Sequence, residues 1–332
     1  MKNLALLLLL LPLAAQPARA DYSTRPQVPQ LLQTLGRDYG FDATELGRVT
    51  QALRDAQPLP QLVTQEQQAP ERTENWTQYS RRIDDTRIRG GISVIRAHAA
   101  SFARAEERFG VPPQVIAAIL GIETRYGRIT GRIRVLDSLA TQGFDHPTRS
   151  AFFFDELTQY FVLCRDFGFD PLTLRGSYAG AMGDAQFMPS NYRRLALDFD
   201  GDGRKDLWSL PDAIGSIANY FVNFRPQQSW HRGEPLAVRA HLTRALPDNI
   251  LKNGHATAYS VAELQRAGVV SDIPLPPDTR AGLIELPTDQ GQEYWIGLHN
   301  FYTVMTYNPR IFYAMAVTRL AQRIEQQEAQ NP

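Results

Sequence analysis

The feature that most constrains the fold is an apolar segment bounded by helix-start and helix-stop residues. Pro112 and Pro113 precede it, and proline is favoured in the first turn of a helix, where the N–H group has no intrahelical acceptor. Gly127 follows it, and glycine readily takes the left-handed conformation in which helices end. Between them, apolar residues recur at helical spacing: Val115, Ile116, Ile119, Leu120 and Ile122. The sequence therefore predicts one buried helix here.

One acidic residue continues the apolar face of this helix. Glu123 follows Ile116 by seven positions and Ile119 by four, so we expect its side chain on the buried face, in the last helical turn. Burial and the negative end of the helix dipole both raise the pKa of a carboxyl group. A carboxylic acid that stays protonated near neutral pH can act as a general acid. The alternative is a structural glutamate that pairs with Arg125 or another arginine at the helix end.

Length, charge and cysteine content limit the class of protein. The 332 residues suffice for two or three domains, and 35 basic residues balance 35 acidic ones. A nucleic-acid-binding protein normally has a basic excess, so no nucleic-acid partner is expected. A single cysteine, Cys164, cannot form a disulfide within the chain. Its aromatic neighbours in the sequence favour a buried small hydrophobic residue over a nucleophile.

The first twenty residues have the pattern of a secretory signal peptide. Lys2 provides the positive end, residues 4–13 form a short apolar run, and residues 18–20 (Ala-Arg-Ala) form a cleavage site. The apolar run is too short to span a bilayer, and no cysteine follows it that could carry a lipid anchor. We therefore expect export as a soluble protein that begins at Asp21, without a membrane anchor.

A glycine-rich segment at residues 175–190 lacks helical periodicity. Its glycines let the backbone approach a ligand closely, while Ser177 and Gln186 can hydrogen-bond sugar hydroxyl or N-acetyl groups. Apolar faces come from Met182, Phe187 and Met188. A carbohydrate-binding loop and a structural turn between helices explain this segment equally well when it is considered alone.

An aspartate-rich segment follows, and its spacing is that of the start of an EF-hand calcium loop. Asp198, Asp200 and Asp202 take positions one, three and five, and Gly203 takes position six. Three aspartates at alternate positions repel one another unless a cation lies between them. We therefore expect a structural Ca²⁺ ion here. The alternative is an acidic surface turn.

The rest of this loop departs from the standard EF-hand. At position seven, Arg204 would contribute its backbone carbonyl oxygen. The usual glutamate at position twelve is replaced by Ser209. We therefore expect Asp212, at position fifteen, to reach the ion from a longer loop. Asp206, at position nine, would contribute through a water molecule.

Helical patterns dominate the two ends of the chain. Residues 21–90 are predicted to form short amphipathic helices, and the pair Gly90-Gly91 is predicted to separate them from a helix at residues 92–109. A last helix is predicted to begin after Asn308-Pro309, where an N-cap residue precedes a first-turn proline. The chain is therefore expected to be mainly α-helical.

The residue pattern changes from helical to β-like between residues 227 and 290. Prolines are frequent there, and apolar residues alternate at residues 236–242 and 283–286, which predicts short β-strands. One helix is expected near residues 261–267. The sequence therefore predicts a small β-rich insert, after which residues 291–306 lead back to the helical core.

Four separated blocks together resemble the lytic murein transglycosylase B family. They are residues 111–127, 177–190, 198–212 and 298–308. The resemblance covers about residues 75–320 and implies a lysozyme-like helical core with a soluble, periplasmic location. The resemblance also implies three parts of the chain. Residues 91–226 would form the catalytic core, and residues 21–90, completed by residues 307–332, a helical subdomain. The β-rich insert would follow the calcium loop.

The resemblance also implies an activity. The family cleaves the β-1,4 bond between N-acetylmuramic acid and N-acetylglucosamine in peptidoglycan glycan strands, and leaves a 1,6-anhydro sugar because the muramoyl 6-hydroxyl attacks C1 in place of water. Glu123 matches the catalytic acid and base. Positions that match the substrate-binding cleft are Ser177, Met182, Gln186, Phe187, Tyr220 and Asn300. Positions that match the calcium ligands are Asp198, Asp200, Asp202, the Arg204 carbonyl and Asp212. Proteins of cell-wall synthesis or remodelling are further expected partners.

Two features depart from the family pattern. His299 stands where we expect a tyrosine, and Asp184 lies in a variable position. Hydrolytic glycosidases use two carboxyl groups, whereas this sequence offers one strong candidate, which suffices if the nucleophile belongs to the substrate. A hydrolytic muramidase would need a second acid, either Asp145 or Asp184. A noncatalytic, calcium-stabilised peptidoglycan-binding protein would bind glycan whether or not Glu123 is present.

Overall fold

The computed structural model describes residues 21–65 and 73–330 of this chain. The predicted signal peptide lies outside the described residues. Within them, no helix is both long enough and apolar enough to cross a bilayer. The helices, in chain order, are α1 (Val28–Tyr39), α2 (Ala43–Asp55), α3 (Gln61–Gln65), α4 (Trp76–Tyr79), α5 (Asp85–Ala97), α6 (Ala99–Phe109), α7 (Pro113–Thr124), α8 (Val135–Asp145), α9 (Ser150–Phe167), α10 (Pro189–Leu195), α11 (Leu210–Asn223), α12 (Val261–Arg266), α13 (His299–Val304) and α14 (Ile311–Gln330).

The central helix is α7, as the sequence predicts. Pro112 is its N-cap residue and Pro113 its first residue, and nearly every side chain from Val115 to Leu120 is fully buried. Helices α5, α6, α11 and α14 pack around it. Because α7 is apolar on all sides, it can only be stable inside such a shell.

The two ends of the chain meet only in part. Helices α1, α2 and α3 lie near α8 and α9. Just before α1, Tyr22 Oη donates a hydrogen bond to Asp145 and accepts one from Thr141. The C-terminal helix α14 packs instead on α5 and α7. Residues from α4 join it, since the rings of Trp76 and Tyr79 contact Phe312. The expected single subdomain of residues 21–90 and 307–332 is thus divided between two surfaces of the core.

The break predicted at Gly90-Gly91 is wrong, because both glycines lie inside α5. The helix passes so close to its neighbours that a methyl group on Gly90 would lie 2.5 Å from the Tyr126 ring. A methyl group on Gly91 would lie 2.3 Å from the Ile324 side chain. These glycines therefore allow close packing. The helical path breaks instead at His98, between α5 and α6.

A five-stranded antiparallel sheet forms a second, smaller core. Its strands are β3 (Ala237–Leu242), β4 (Tyr259–Ser260), β5 (Val269–Ser271), β6 (Arg280–Thr288) and β7 (Gly291–Gly297), in the spatial order β4-β6-β7-β3-β5. A separate two-stranded pair joins β1 (Ile133–Arg134) to β2 (Arg175–Gly176). Together with the helices, the sheet confirms the predicted mainly helical fold with a small β-rich subdomain.

The predicted end of the β-rich insert at residue 290 is wrong. Strand β7 continues the sheet to Gly297 and pairs with both β6 and β3, so it is central to the sheet. A tight turn at Thr288–Gly291 joins β6 to β7, with Gly291 at a φ of 117° that glycine tolerates best. The return to helix begins only at α13.

Candidate active site

Glu123 lies half-buried in the last turn of α7. Its Oε1 accepts a hydrogen bond of 2.6 Å from Tyr313 Oη, which α14 supplies from across the core. Burial, and then the nearby Glu123 carboxylate, raise the pKa of Tyr313 well above its usual value, so the hydroxyl stays protonated and acts as the donor. The alternative pairing of Glu123 with Arg125 is absent, since Arg125 forms no ion pair with any described residue.

The chain leaves α7 through three consecutive left-handed residues, which we call the left-handed turn (Arg125–Gly127). Their φ angles are 51°, 61° and 79°. The helix therefore ends at Thr124, earlier than Gly127 alone would indicate. Residues other than glycine seldom adopt positive φ, so the turn must be held by the surrounding structure.

The ring of Tyr126 holds this turn. It lies against the backbone of α5 and α7, where a methyl group on Gly90 would be 2.5 Å, and one on Gly121 2.6 Å, from Tyr126 atoms. The hydroxyl of Tyr126 also donates a hydrogen bond to the backbone carbonyl of Arg87. Glycines on two helices thus form a niche for one ring, and that ring fixes the backbone just after Glu123.

Ser177 has a hydroxyl group that is free to donate. Its Oγ accepts hydrogen bonds from the backbone N–H groups of Ala179 and Ala181, at 3.3 and 3.1 Å. No acceptor for its O–H group lies among the described residues, and the side chain is half-buried. The backbone therefore fixes the oxygen and leaves the proton for an external acceptor.

Gln186 has the complementary arrangement. Its Nε2 donates to the carbonyl oxygens of Thr130 and Gly183, at 3.1 and 2.8 Å, whereas Oε1 has no donor among the described residues. The residue adopts a φ of 50°, so its backbone is also left-handed. Its amide ties the glycine-rich segment to the chain that follows the left-handed turn, and leaves one carbonyl oxygen to accept.

The other four predicted substrate-binding residues lie behind the surface. Exposed fractions are 0% for Met182, 1% for Phe187, 3% for Tyr220 and 0% for Asn300. Met182 and Phe187 exchange two backbone hydrogen bonds, and the Phe187 ring packs on Tyr220. Tyr220 Oη donates to the carbonyl oxygen of Thr306 at 2.7 Å. In contrast to the sequence expectation, this structure gives their side chains supporting positions.

The amide of Asn300 is used entirely by one loop. It accepts from the backbone N–H of His231 and donates to the carbonyl oxygens of His231 and Glu234, all within 2.8 Å. The adjacent His299 stacks on His231, with 3.7 Å between ring centroids. Asn300 therefore positions the loop at residues 231–234.

The two candidates for a second acid have different surroundings. Asp145, the last residue of α8, pairs with Arg25 at 2.5 Å and accepts a hydrogen bond from Tyr22. Asp184 is 4% exposed, and a methyl group on Gly127 would lie 2.9 Å from its Oδ2. Burial, and then the charge of Asp206, raise the pKa of Asp184 to about 7. It therefore lies beneath the left-handed turn.

Three aspartates of the predicted calcium loop come together. One carboxylate oxygen from each of Asp198, Asp200 and Asp212 lies within 4.8 Å of the others. Asp212 is 1% exposed, and burial raises its pKa. Carboxylate oxygens at this spacing are the ligands that Ca²⁺ prefers, and a divalent cation would offset their mutual repulsion. The residues present thus fit a calcium ion.

The remaining predicted ligands are less fully assembled. The carboxylate of Asp202 does not belong to this group of three; its Oδ1 accepts from the Arg204 backbone N–H at 2.8 Å. The backbone N–H of Asp206 donates to Asp212 Oδ2 at 2.8 Å, and Ser209 Oγ donates to Asp200 Oδ2 at 3.2 Å. Side chains and backbone therefore close the loop around the three aspartates.

Sequence reasoning missed two residues of this site, Tyr313 and Tyr126. Tyr313 lies on the apolar face of α14, where a tyrosine is ordinarily a core residue. A buried tyrosine hydroxyl usually has a hydrogen-bond partner, which was the only signal for a polar contact. Tyr126 carried no signal other than its position beside Glu123. The glycines that accommodate it could be interpreted only once the three helices were seen together.

Comparison with known proteins gives the family. The family model for the transglycosylase SLT domain matches residues 23–322. Membrane-bound lytic murein transglycosylase B of Escherichia coli strain K12 is 37% identical over 314 residues, which span 92% of this chain and 84% of that protein. The four sequence blocks at residues 111–308 and the helical core therefore lie within one matched region.

Solved structures of lytic transglycosylases resemble this fold as well. The E. coli lytic transglycosylase Slt35 in complex with calcium has a TM-score of 0.83 at 36% identity, covering 94% of this chain and 96% of that one. SltB3 from Pseudomonas aeruginosa in complex with NAG-NAM-pentapeptide has a TM-score of 0.74 at 30% identity, covering 90% and 79%. The likeness confirms the predicted lysozyme-like architecture. This chain belongs to the transglycosylase SLT family and is a lytic transglycosylase, an enzyme that cleaves peptidoglycan.

Proposed function

We propose that this enzyme cleaves the β-1,4 bond between N-acetylmuramic acid and N-acetylglucosamine without water and leaves 1,6-anhydromuramic acid ends. The observation that carries the proposal is the setting of Glu123. It is a half-buried carboxyl group in the last turn of α7, oriented by Tyr313. Of the two other candidate acids, Asp145 pairs with Arg25 and Asp184 is 4% exposed. One carboxyl group suffices when the substrate supplies the nucleophile.

In this mechanism Glu123 acts twice. Its carboxyl group first gives its proton to the glycosidic oxygen, so the bond between C1 of the muramoyl residue and that oxygen breaks, and the N-acetylglucosamine end leaves as an alcohol. The resulting carboxylate then accepts the proton of the muramoyl 6-hydroxyl while that oxygen bonds to C1. The proton count returns to its starting value, and no water is consumed.

Ser177 and Gln186 would orient the sugar. The free O–H of Ser177 can donate to the N-acetyl carbonyl oxygen, which would ease the positive charge that develops at C1. The free Oε1 of Gln186 can accept from a sugar hydroxyl or from an amide N–H. Met182, Phe187, Tyr220 and Asn300 would then act by holding the surrounding backbone in place.

Calcium and location complete the proposal. Asp198, Asp200, Asp212 and the carbonyl of Arg204 would hold a Ca²⁺ ion, with Asp202 as a further ligand; the ion supplies charge neutralisation that keeps the loop folded. Glu123 belongs to none of these groups, so the ion is structural. Support comes from the aspartate cluster and from the calcium complex of Slt35. The sequence pattern of residues 1–20 supports export to the periplasm.

The experiment is Glu123→Gln with Asp184→Asn as the matched control. Both replace a carboxyl group by an amide of the same size, but only the first removes the proposed acid and base. We expect Glu123→Gln to bind glycan strands and to release less than about a hundredth of the wild-type anhydromuropeptide, with unchanged or higher stability. Asp184→Asn should retain activity within about tenfold, the scale of a small displacement rather than of lost acid–base chemistry.

Two results would contradict this assignment. A folded Glu123→Gln variant that retains more than about a tenth of the wild-type rate would move the active site elsewhere. A loss in Asp184→Asn as large as that in Glu123→Gln would favour the two-carboxyl hydrolase. Circular dichroism is the folding control for both variants.

A further inference from the structure

The chain that follows Glu123 carries an excess of positive charge. Residues 125–134 include four arginines and no acidic residue: Arg125, Arg128, Arg132 and Arg134. Only Arg134 has a carboxylate partner, Asp137, at 2.6 Å. The other three are exposed and form no ion pair with any residue in the described part of the chain. Their charge is therefore available to a ligand.

Two of these arginines line a cavity of about 210 Å³ between the left-handed turn and the start of α5. The charged residues in its wall are Arg87, Arg125, Arg128 and Asp84, so three positive charges face one negative charge and the formal balance is +2. Ile129 adds an apolar wall and is 57% exposed. The cavity thus combines cationic groups with a small apolar surface.

The one acidic residue in the cavity wall, Asp84, pairs with Arg87. Its Oδ1 accepts the Arg87 backbone N–H at 2.7 Å as the N-cap of α5, and its Oδ2 lies 3.4 Å from Arg87 Nη1. Arg87 also donates hydrogen bonds from Nε to the carbonyl oxygen of Gly121 and from Nη1 to that of Arg82. Its Nη2 has no acceptor among the described residues. Burial, and then the charge of Arg125, lower the pKa of Arg87.

The backbone that carries these arginines is fixed. Tyr126 stands between the two cavity arginines in sequence, and its ring is held in the glycine niche described above. The Cα atom of Arg125 lies within about 7.6 Å of that of Glu123, since two peptide units separate them. The cavity is therefore lined by a residue only two positions from Glu123.

We propose that this cavity binds carboxylate groups of the short peptide that peptidoglycan carries on its muramic acid residues. The inference rests on the proposed function, because that function places a muramic acid residue at Glu123. The peptide bears free carboxylates, which match guanidinium groups in paired hydrogen bonds, and alanine methyl groups, which match Ile129. The cavity would thus favour strands whose peptides are intact.

The first test compares two forms of the substrate. Glycan strands with intact peptides and strands stripped of peptides by an amidase are digested by the wild type, by the Arg125→Gln/Arg128→Gln double variant, and by Arg132→Gln. Arg132→Gln removes one positive charge from the same segment, against two in the double variant, and Arg132 does not line the cavity. We expect kcat/KM on intact strands to exceed that on stripped strands about tenfold in the wild type and in Arg132→Gln, and the ratio to fall toward one in the double variant.

A double variant that keeps the wild-type ratio would overturn the proposal, and so would a wild type with a ratio of one. Cleavage of stripped strands by the double variant, together with its circular dichroism spectrum, shows that it is folded. If it is unfolded, the single variant Arg128→Gln replaces it, since Arg128 lies outside the left-handed turn.

The second test does not depend on cleavage. N-acetylmuramyl-L-alanyl-D-glutamate and its diamide are titrated against the wild type at low and high salt. We expect the acid to bind at least fivefold more tightly than the diamide, with a preference that salt weakens and that the double variant loses. Equal binding of acid and diamide would reject this site while leaving the proposed function intact. Acid-specific binding alongside water-derived products would reject the proposed function and keep the site.

Discussion

The active-site turn and the aspartate loop both hold their backbone in unusual conformations, but by opposite means. At the left-handed turn, Tyr126 fills a niche between glycines, and Gly127 donates to Thr124 Oγ1 at 3.0 Å. At the aspartate loop, carboxylates accept backbone N–H groups while their own charges lie close together. Packing completes the first region, whereas the second is the region for which we propose a stabilising cation.

This difference predicts where each region is vulnerable. A packed turn is sensitive to volume and insensitive to ions, because its contacts are short and uncharged. A loop of like charges is sensitive to ions. Space around Gly201 and Gly203 is open, since nothing lies within 4 Å of a methyl group there, so only their φ angles of 83° and 85° oppose a larger residue. The following experiments test these expectations, in order of decreasing effect.

Ser177→Ala should lower turnover about 10- to 1,000-fold, because it removes a donor whose hydrogen bond would strengthen in the transition state. The melting temperature should fall as well, since two backbone N–H groups lose the oxygen that accepts from them. Ser177→Thr retains the hydroxyl and should recover part of the activity. Full turnover in Ser177→Ala would return this residue to a purely structural role.

Gly90→Ala should lower turnover by about 10- to 100-fold and stability by about 1–3 kcal/mol, because the added methyl group meets the Tyr126 ring and displaces the turn. The matched control is Gly47→Ala, inside α2, where nothing lies within 4 Å of the new methyl group. The control should gain about 0.5–1 kcal/mol from helix propensity. Thermal melts and release of soluble muropeptides measure both effects. Equal behaviour of the two variants would contradict the role of the niche.

Calcium should raise the melting temperature by about 5 °C relative to chelator, through preferential binding to the folded state. Asp200→Asn should remove this response and leave turnover on peptidoglycan, assayed well below the melting temperature, close to that of the wild type. Differential scanning calorimetry with and without chelator is the measurement. An unchanged melting temperature would mean that the loop is complete without an ion.

Asp184→Asn should stabilise the protein by about 1–3 kcal/mol at pH 8, and the gain should shrink as the pH falls toward 4. The sign follows from a folded pKa near 7, well above the usual value: the folded state binds more protons than the unfolded state between these pH values, so wild-type stability falls as pH rises. Melts in saturating calcium at several pH values test this. A gain that does not vary with pH would contradict the burial of this carboxyl group.

The sequence predicted the elements that have strong local signals. Helix α7 followed from its prolines and apolar spacing, and strands β3 and β6 from alternation. The sequence could not reveal that Gly90 and Gly91 serve packing, because their neighbours, Tyr126 and Ile324, come from distant segments. The same limit applies to Tyr313, whose partner Glu123 lies 190 positions away.

The predicted site residues likewise form two groups, one suggested by residue type and one defined by tertiary contacts. Ser177 and Gln186 have side-chain groups left free for a ligand, as polar residues in a glycine-rich loop suggested. Met182, Phe187, Tyr220 and Asn300 are buried, and their burial depends on tertiary contacts that residue type does not encode. Resemblance assigned all six to the substrate-binding cleft, but only the structure separated side chains with a free polar group from supporting ones.

The central claim is that Glu123 works with a nucleophile that belongs to the substrate. Its most direct test is mass spectrometry of muropeptides released from purified sacculi in water labelled with heavy oxygen. The account predicts products one water mass lighter than hydrolysis products, ending in 1,6-anhydromuramic acid and free of heavy oxygen, and essentially none from Glu123→Gln. Reducing ends that carry the heavy oxygen would contradict it and assign the second step to water.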